Sequence, residues 1–177
     1  MSPLRILVVA TKAPWPAVDG GRLVLLNTIR ALAAAGHSVE LVAPCPESDE
    51  RRREIAAALR PDCTPHLVAA GPRSLVASAA SGFARGIPAT VARHRLPEVR
   101  RKVAELLAGG TFQVVHAEQL HSLAQTEPAE AFGIPVVHRA HNVESLLWSF
   151  AAQHRGFLTR TFFALEARRM SAWEARA

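Results

Sequence analysis

Apolar side chains along the chain switch repeatedly between two spacings. Residues 4–10 (LRILVVA) are a short, nearly unbroken apolar run rich in Val, Ile and Leu, the pattern of a strand covered on both faces of a parallel sheet. Residues 22–36 (RLVLLNTIRALAAAG) then carry apolar positions at helical spacing and stop at Gly36, a suitable helix terminator. Residues 37–44 (HSVELVAP) return to strand, which completes a βαβ unit with a right-handed crossover. Beyond it the pattern predicts a charged helix over 49–59, a third strand over 65–70 and an Ala/Ser-rich helix over 74–84. Residues 86–97 (GIPATVARHRLP) read as irregular, held by Pro88 and Pro97. A helix over 96–109 follows, with Pro97 near its start, Glu98 in its first turn and a glycine pair at its end. Residues 111–119 (TFQVVHAEQ) and 133–142 (GIPVVHRAHN) predict strands four and five, separated by a helix over 120–131 and followed by helices over 143–153 and 157–175.

Strands and helices alternating in this way predict an α/β fold: a Rossmann-like, doubly wound, mostly parallel sheet with helices on both faces. Such folds bind ligands beyond the carboxyl ends of their strands. The length suits one domain. After the last helix a further strand is expected to complete the sheet, so the chain reads as lacking its final strand and a second domain. In the last helix Leu158, Phe162, Leu165 and Arg169 recur on one side, a face expected to cover the sheet.

Composition narrows the function classes. There is no uninterrupted apolar run of about eighteen residues, and Met1 leads directly into a strand without a leader-like segment. The expected location is cytoplasmic. Cys45 and Cys63 are far apart and neither belongs to a C-x-x-C pair, so they read as free thiols, and no metal site is expected. The net charge of +6 is mostly arginine and favours anionic partners such as nucleotide diphosphates or acidic lipids. Zinc-finger spacing, a basic heptad region and an aromatic-basic strand are all missing, which argues against nucleic acid. Arg93, His94, Arg95, Arg100, Arg101 and Lys102 form a basic cluster. A solvated helix face, with Arg101 above Glu105, is one account of it; peripheral contact with an anionic membrane is a second.

Candidate chemistry concentrates after the strands. Gly20 and Gly21 lie between the first strand and its helix, where residues without Cβ let backbone N–H groups approach a phosphate at a helix N-terminus. The spacing is neither G-x-G-x-x-G nor a Walker loop, and a tight turn that merely needs glycine is the alternative. Asp19 and Arg22 flank the pair, as an acid and a base that could contact a ligand there, or as an ordinary loop acid and a solvent-facing arginine. His116 ends the fourth strand, as a cleft residue or a satisfied core histidine. His141 follows the fifth, where Asn142 offers the plainer role of a helix cap, and Glu144 opens the next helix. Arg139, inside a strand, must be paired or reach the sheet edge, and His37 reads as a turn residue.

Several segments together resemble the family-four retaining glycosyltransferases of the type B fold, which has two Rossmann-like domains. They are P-W-P-x-x-D-G-G-R at 14–22, A-x-A-A-A-G-H-S-V-E-L-V at 31–42, F-Q-V-V-H-A-E at 112–118 and P-V-V-H-R-A-H-N-V-E-S at 135–145, with Glu166 and Trp173-Glu174 in the closing helix. The match is poorest between about Pro46 and Arg95. The resemblance implies the N-terminal, acceptor-side half of a hexosyltransferase-like enzyme of glycan biosynthesis. It would move a sugar from a nucleotide diphosphate sugar to an acceptor hydroxyl with retention. In that reading Gly20, Gly21 and Arg22 contact the donor diphosphate, and His141 lies at the donor sugar as the catalytic candidate. Asp19, His116, Asn142 and Glu144 serve substrate binding. No cofactor or metal is implied beyond the donor, and most of the nucleotide grip belongs to a C-terminal domain, so this chain alone is expected to be inactive. The leading alternative is a stand-alone Rossmann-like module that binds a nucleotide or anion without catalysis. A nicotinamide-dependent oxidoreductase is disfavoured, because strand two ends V-A-P without an acidic ribose ligand. An interaction domain using the basic surface is the third.

Overall fold

A computed structural model describes residues 2–154 and 156–176. Five strands, β1 (Arg5–Val9), β2 (Ser38–Pro44), β3 (Thr64–Val68), β4 (Val114–Glu118) and β5 (Val136–Arg139), form one sheet in the order β3-β2-β1-β4-β5. Every pairing is parallel. The central β1 is buried from Ile6 to Val9, as its unbroken apolar run requires. On one face Ile6, Val8, Val39 and Leu41 pack under α1 (Gly20–Ala34) and α2 (Asp49–Leu59). On the other, Leu7, Val9, Val42 and Val115 pack under α5 (Pro97–Gly109) and the short α7 (Pro128–Ala131). Cys45 and Cys63 are buried free thiols, and burial pushes the Cys63 thiol up to about 12.

Two stretches differ from expectation. Residues 86–97 are not irregular: Ala89–His94 form α4, behind α3 (Leu75–Arg85). Both prolines sit where helices tolerate them, Pro88 immediately before α4 and Pro97 at the start of α5. The helix expected over 120–131 is instead a 3₁₀ turn (Leu120–Ser122), α6 (Leu123–Thr126) and α7, with Pro128 opening the last piece.

The chain closes with α8 (Glu144–Gln153) and α9 (Phe157–Glu174), which pack against each other. The inward side of α9 is Glu166, Ala167 and Met170; Phe162 and Leu165 are about half exposed, and Leu158's side chain lies outside the described residues. The helix does not cover the sheet with its apolar stripe because it docks on α4 and the 3₁₀–α6 segment, where Met170 meets Val91, Leu120 and Ala124. Glu166 supports that contact by accepting from the Ala89 amide at 2.6 Å and from Arg169 at 2.8 Å. Among the described residues no helix is long and apolar enough to cross a membrane.

Candidate active-site cleft

The strand order reverses between β1 and β4, which opens a crevice at their carboxyl ends. A cleft of about 470 Å³ lies there. Each strand end contributes to it: Thr11 and Lys12 after β1, Pro44 and Pro46 at β2, Pro72 after β3, Gln119 after β4, and His141 and Asn142 after β5. Arg22, His94, His121 and Glu144 complete its wall. A second groove of about 420 Å³, lined by Ile134, Val136, His138 and Trp173 among others, sits at the opposite, starting end of β5.

The glycine pair is not a loop ahead of the helix but the first turn of α1, because Asp19 takes the N-cap position. Its carboxylate accepts from the Arg22 amide at 2.9 Å and pairs with Lys12 at 2.9 Å. The hydrogen bond from the Arg22 amide and the one from Lys12 hold Asp19 below the usual carboxylate range. Helical geometry leaves the Gly20 and Gly21 amides without intrahelical acceptors. The two glycines differ in purpose. A Cβ on Gly20 would meet nothing within 4 Å, whereas one on Gly21 would lie 3.3 Å from both Asp19 Oδ1 and Gln119 Nε2. Gly21 is therefore the position where α1 closes on the end of β4. Arg22 donates to the Ala13 carbonyl at 3.2 Å and also lines the cleft.

Gln119 was not singled out by sequence, yet it ties the crevice together. Its φ of 69° is the one left-handed value among described non-glycine residues, a conformation that costs an L-residue on the order of 1 kcal/mol. The turn lets its side chain accept from Thr11 at 3.0 Å, while its amide donates to the Arg139 carbonyl at 3.0 Å. Strain of this kind clusters where geometry serves a site.

Behind Gln119 lies a buried polar cluster. Glu118, 2% exposed, accepts from His116 at 2.8 Å through one oxygen and from His141 at 2.5 Å through the other. Burial opposes its ionisation, but the hydrogen bonds from His116 and His141 outweigh it, so the carboxyl stays below its ordinary value. A carboxylate only accepts, so Nε2 of each ring carries the proton and Nδ1 of a neutral His141 is a bare acceptor. His141 itself lines the cleft, whereas His116 stands behind it as a partner of Glu118.

His94 and His121 form the far wall, with ring centroids 5.3 Å apart. Burial, then the neighbouring His121 and Arg93, pushes His94 down to about 4, and burial also lowers His121 against the pull of Glu144. Both rings are neutral near pH 7 and offer one donor and one acceptor nitrogen each.

Of the sequence candidates, Arg22, His141, Asn142 and Glu144 line the cleft; Asp19, Gly20, Gly21 and His116 do not, although Asp19 pairs with Lys12 of its wall and Gly21 packs beside Gln119. Asn142 does not cap the following helix. Val143 occupies the N-cap position without a side-chain bond, and the cap comes from Glu174 of α9, which accepts from the Glu144 amide at 2.6 Å. Arg139 is paired with Thr28 of α1, and His37 accepts from the Leu4 amide at 3.1 Å. Lys12, His94, Glu118, Gln119 and His121 are the residues missed. Lone polar residues in unrelated segments carry no shared spacing; the only available hint was that two histidines at strand ends need a buried acceptor. Among the described residues no group of three or more His, Cys, Asp or Glu side chains is placed to hold a metal ion.

The sequence profile of glycosyltransferase family 4 matches residues 18–175. No curated protein matches the chain by sequence. Among solved structures, UGT2 of Phytolacca americana in complex with UDP-2-fluoroglucose and pterostilbene is similar at 15% identity with a TM-score of 0.52, over 86% of this chain and 34% of that one. Its apo form gives 14% identity and a TM-score of 0.50 over the same shares. The C-terminal domain of a hydrogenase from Pyrococcus furiosus shares 16% identity over 78% of this chain and 92% of that one, with a TM-score of 0.46. At such identities the likeness to the plant protein is one of fold, and the chain spans about a third of its length.

Proposed function

Because the chain belongs to glycosyltransferase family 4, we propose that its cleft is the acceptor-side half of a transferase site that moves a sugar from a nucleotide diphosphate sugar to an acceptor hydroxyl with retention. The observation that carries the reading is the convergence, at one crevice, of the α1 N-terminus and a histidine held by a buried carboxylate. The Gly20 and Gly21 amides with Arg22 face the donor diphosphate, where helix-terminal N–H groups and a guanidinium stabilise charge leaving with the nucleotide. His141 is the catalytic candidate: its bare Nδ1 accepts from a donor sugar hydroxyl, and Glu118 is its positioning residue. No metal is required in this reading. The neutral His94 and His121 suit acceptor hydroxyls, which donate and accept, better than they suit phosphate. Asn142 and Glu144 complete the acceptor wall, and Asp19 serves as the N-cap that fixes the glycine turn. The opposing wall and most of the nucleotide grip belong to a second domain, so residues 1–177 alone turn over no donor.

The plant structure, whose own complex holds UDP-2-fluoroglucose and pterostilbene, supports this reading through its fold. The test is donor hydrolysis and transfer from uridine, guanosine and adenosine diphosphate sugars, by the chain alone and by the chain joined to a donor-binding domain. Turnover only in the joined protein is expected. Nucleotide binding without turnover in any joined form would favour the stand-alone binding module instead.

A further inference from the structure

The turn at Gln119 is built by main-chain bonds that any residue could make. Its amide donates to the Arg139 carbonyl at 3.0 Å, and its carbonyl accepts from the Ser122 amide at 3.1 Å and from the Ser122 hydroxyl at 2.9 Å. With φ 69° and ψ 152° the backbone lies where glycine moves freely and other residues are strained. A glycine at this position would keep all three bonds without strain, so the fold alone gives no reason for a side chain. The side chain has one hydrogen-bond partner among the described residues, the Thr11 hydroxyl, which donates to Oε1 at 3.0 Å. A single neutral hydrogen bond returns no more than the strain takes. Nε2 is left without a protein acceptor and faces the space over Gly21: a Cβ there would lie 3.3 Å from Nε2 and from Asp19 Oδ1, and 3.8 Å from Lys12 Nζ. Gln119, Thr11, Lys12 and Arg22 all line the cleft. Asp19 is matched by both Lys12 and Arg22, and two cations against one carboxylate leave a net positive charge around that space.

Resting on the transferase reading, we propose that Gln119 is a substrate-contacting residue: its Nε2 donates, beside the Gly21 amide, to an oxygen of the donor diphosphate. The strained turn carries the carboxamide to the first turn of α1, and the Thr11 hydroxyl fixes Oε1 so that the NH2 group points at the ligand. Gly21 lacks the side chain that would otherwise fill the space between them. Charge-assisted hydrogen bonds of this kind are the stronger ones, which gives the strain at Gln119 a return that the unliganded fold does not.

Titration of the chain with inorganic pyrophosphate, followed in 15N spectra, together with urea unfolding of each variant, tests it. In the wild type pyrophosphate should shift the Gly20 and Gly21 amides and the Gln119 side-chain NH2. Gln119→Gly should weaken pyrophosphate binding about tenfold while the urea midpoint holds or rises. Gln119→Glu keeps an oxygen for Thr11 but sets a negative charge against the ligand, and should weaken binding at least as much. Thr11→Val, which frees the carboxamide without removing it, should weaken binding by less than Gln119→Gly. If the Gly20 and Gly21 amides shift but Gln119→Gly binds pyrophosphate like the wild type, Gln119 is no ligand contact; the proposal is overturned and the transferase reading stands. A fall in the urea midpoint of Gln119→Gly overturns it as well, because the side chain would then be holding the turn. If pyrophosphate leaves the Gly20 and Gly21 amides unmoved in the wild type, the diphosphate contact of the transferase reading fails and the proposal falls with it.

Discussion

Replacing Glu118 by Gln changes one atom type in a buried site and should be felt in stability, in pH dependence and in the state of His141. The carboxylate is 2% exposed and accepts from both histidines, at 2.8 and 2.5 Å. Glutamine keeps one accepting oxygen and sets an NH2 group against the second ring's N–H. Each hydrogen bond to a charged group contributes about 1.5–3 kcal/mol, and a donor left unmatched in the interior adds its own penalty. A loss of about 2–4 kcal/mol near neutral pH follows. The sign with pH is set by the folded carboxyl lying below its ordinary value of 4.5. Its contribution is complete above that value and is lost as pH falls through the lower folded-state pKa. Urea unfolding of the two proteins across a pH series reads the difference directly, and 15N spectra of labelled histidine read the tautomer. In its neutral form wild-type His141 should show a protonated Nε2 and a bare Nδ1, and the variant a mixture of tautomers. Equal unfolding midpoints at neutral pH, or a difference that persists unchanged into strong acid, would refute the assignment of Glu118 as an ionised clamp.

Other outcomes follow from the same geometry. His94 should titrate near pH 4 by NMR; because its folded value lies below the ordinary 6.5, it subtracts stability as pH falls from about 6.5 toward 4, and His94→Gln should flatten that part of the stability curve. A normal titration near 6.5 would mean the ring is solvated. Gly20→Ala should be neutral or stabilising by about 0.5 kcal/mol, as the open space around it allows. Gly21→Val should displace Gln119, break its bond to Thr11 and depress turnover in the joined protein while α1 persists. Identical turnover in the two glycine variants would remove the special role of Gly21.

The strands were legible because their burial is legible: runs such as LRILVVA leave no other placement, and β1 sits at the centre of the sheet as that run requires. Helix α4 is hidden in the sequence because Pro88 and Pro97 read as breakers inside the segment, whereas one immediately precedes its helix and the other opens the next. The glycine pair was located, but its role as a first helical turn follows from Asp19 as N-cap, a signal that local sequence does carry. The cleft itself was only half visible. His141 stood out at a strand end, but Glu118, in the same segment as His116, gains its meaning from a ring 23 positions later. His94 and His121 come from segments with no common pattern, and only the packing of α4 against the 3₁₀ turn brings them together.

The transferase account rests on His141 meeting the donor sugar while Glu118 holds it from behind. The most direct measurement is the kcat for a nucleotide diphosphate sugar by the chain joined to a donor-binding domain, for wild type, His141→Ala and a His154→Ala control on the exposed end of α8. The account predicts a fall of at least about a hundredfold for His141→Ala and none for His154→Ala. A His141→Ala protein that remains folded and turns over donor at the wild-type rate would contradict it.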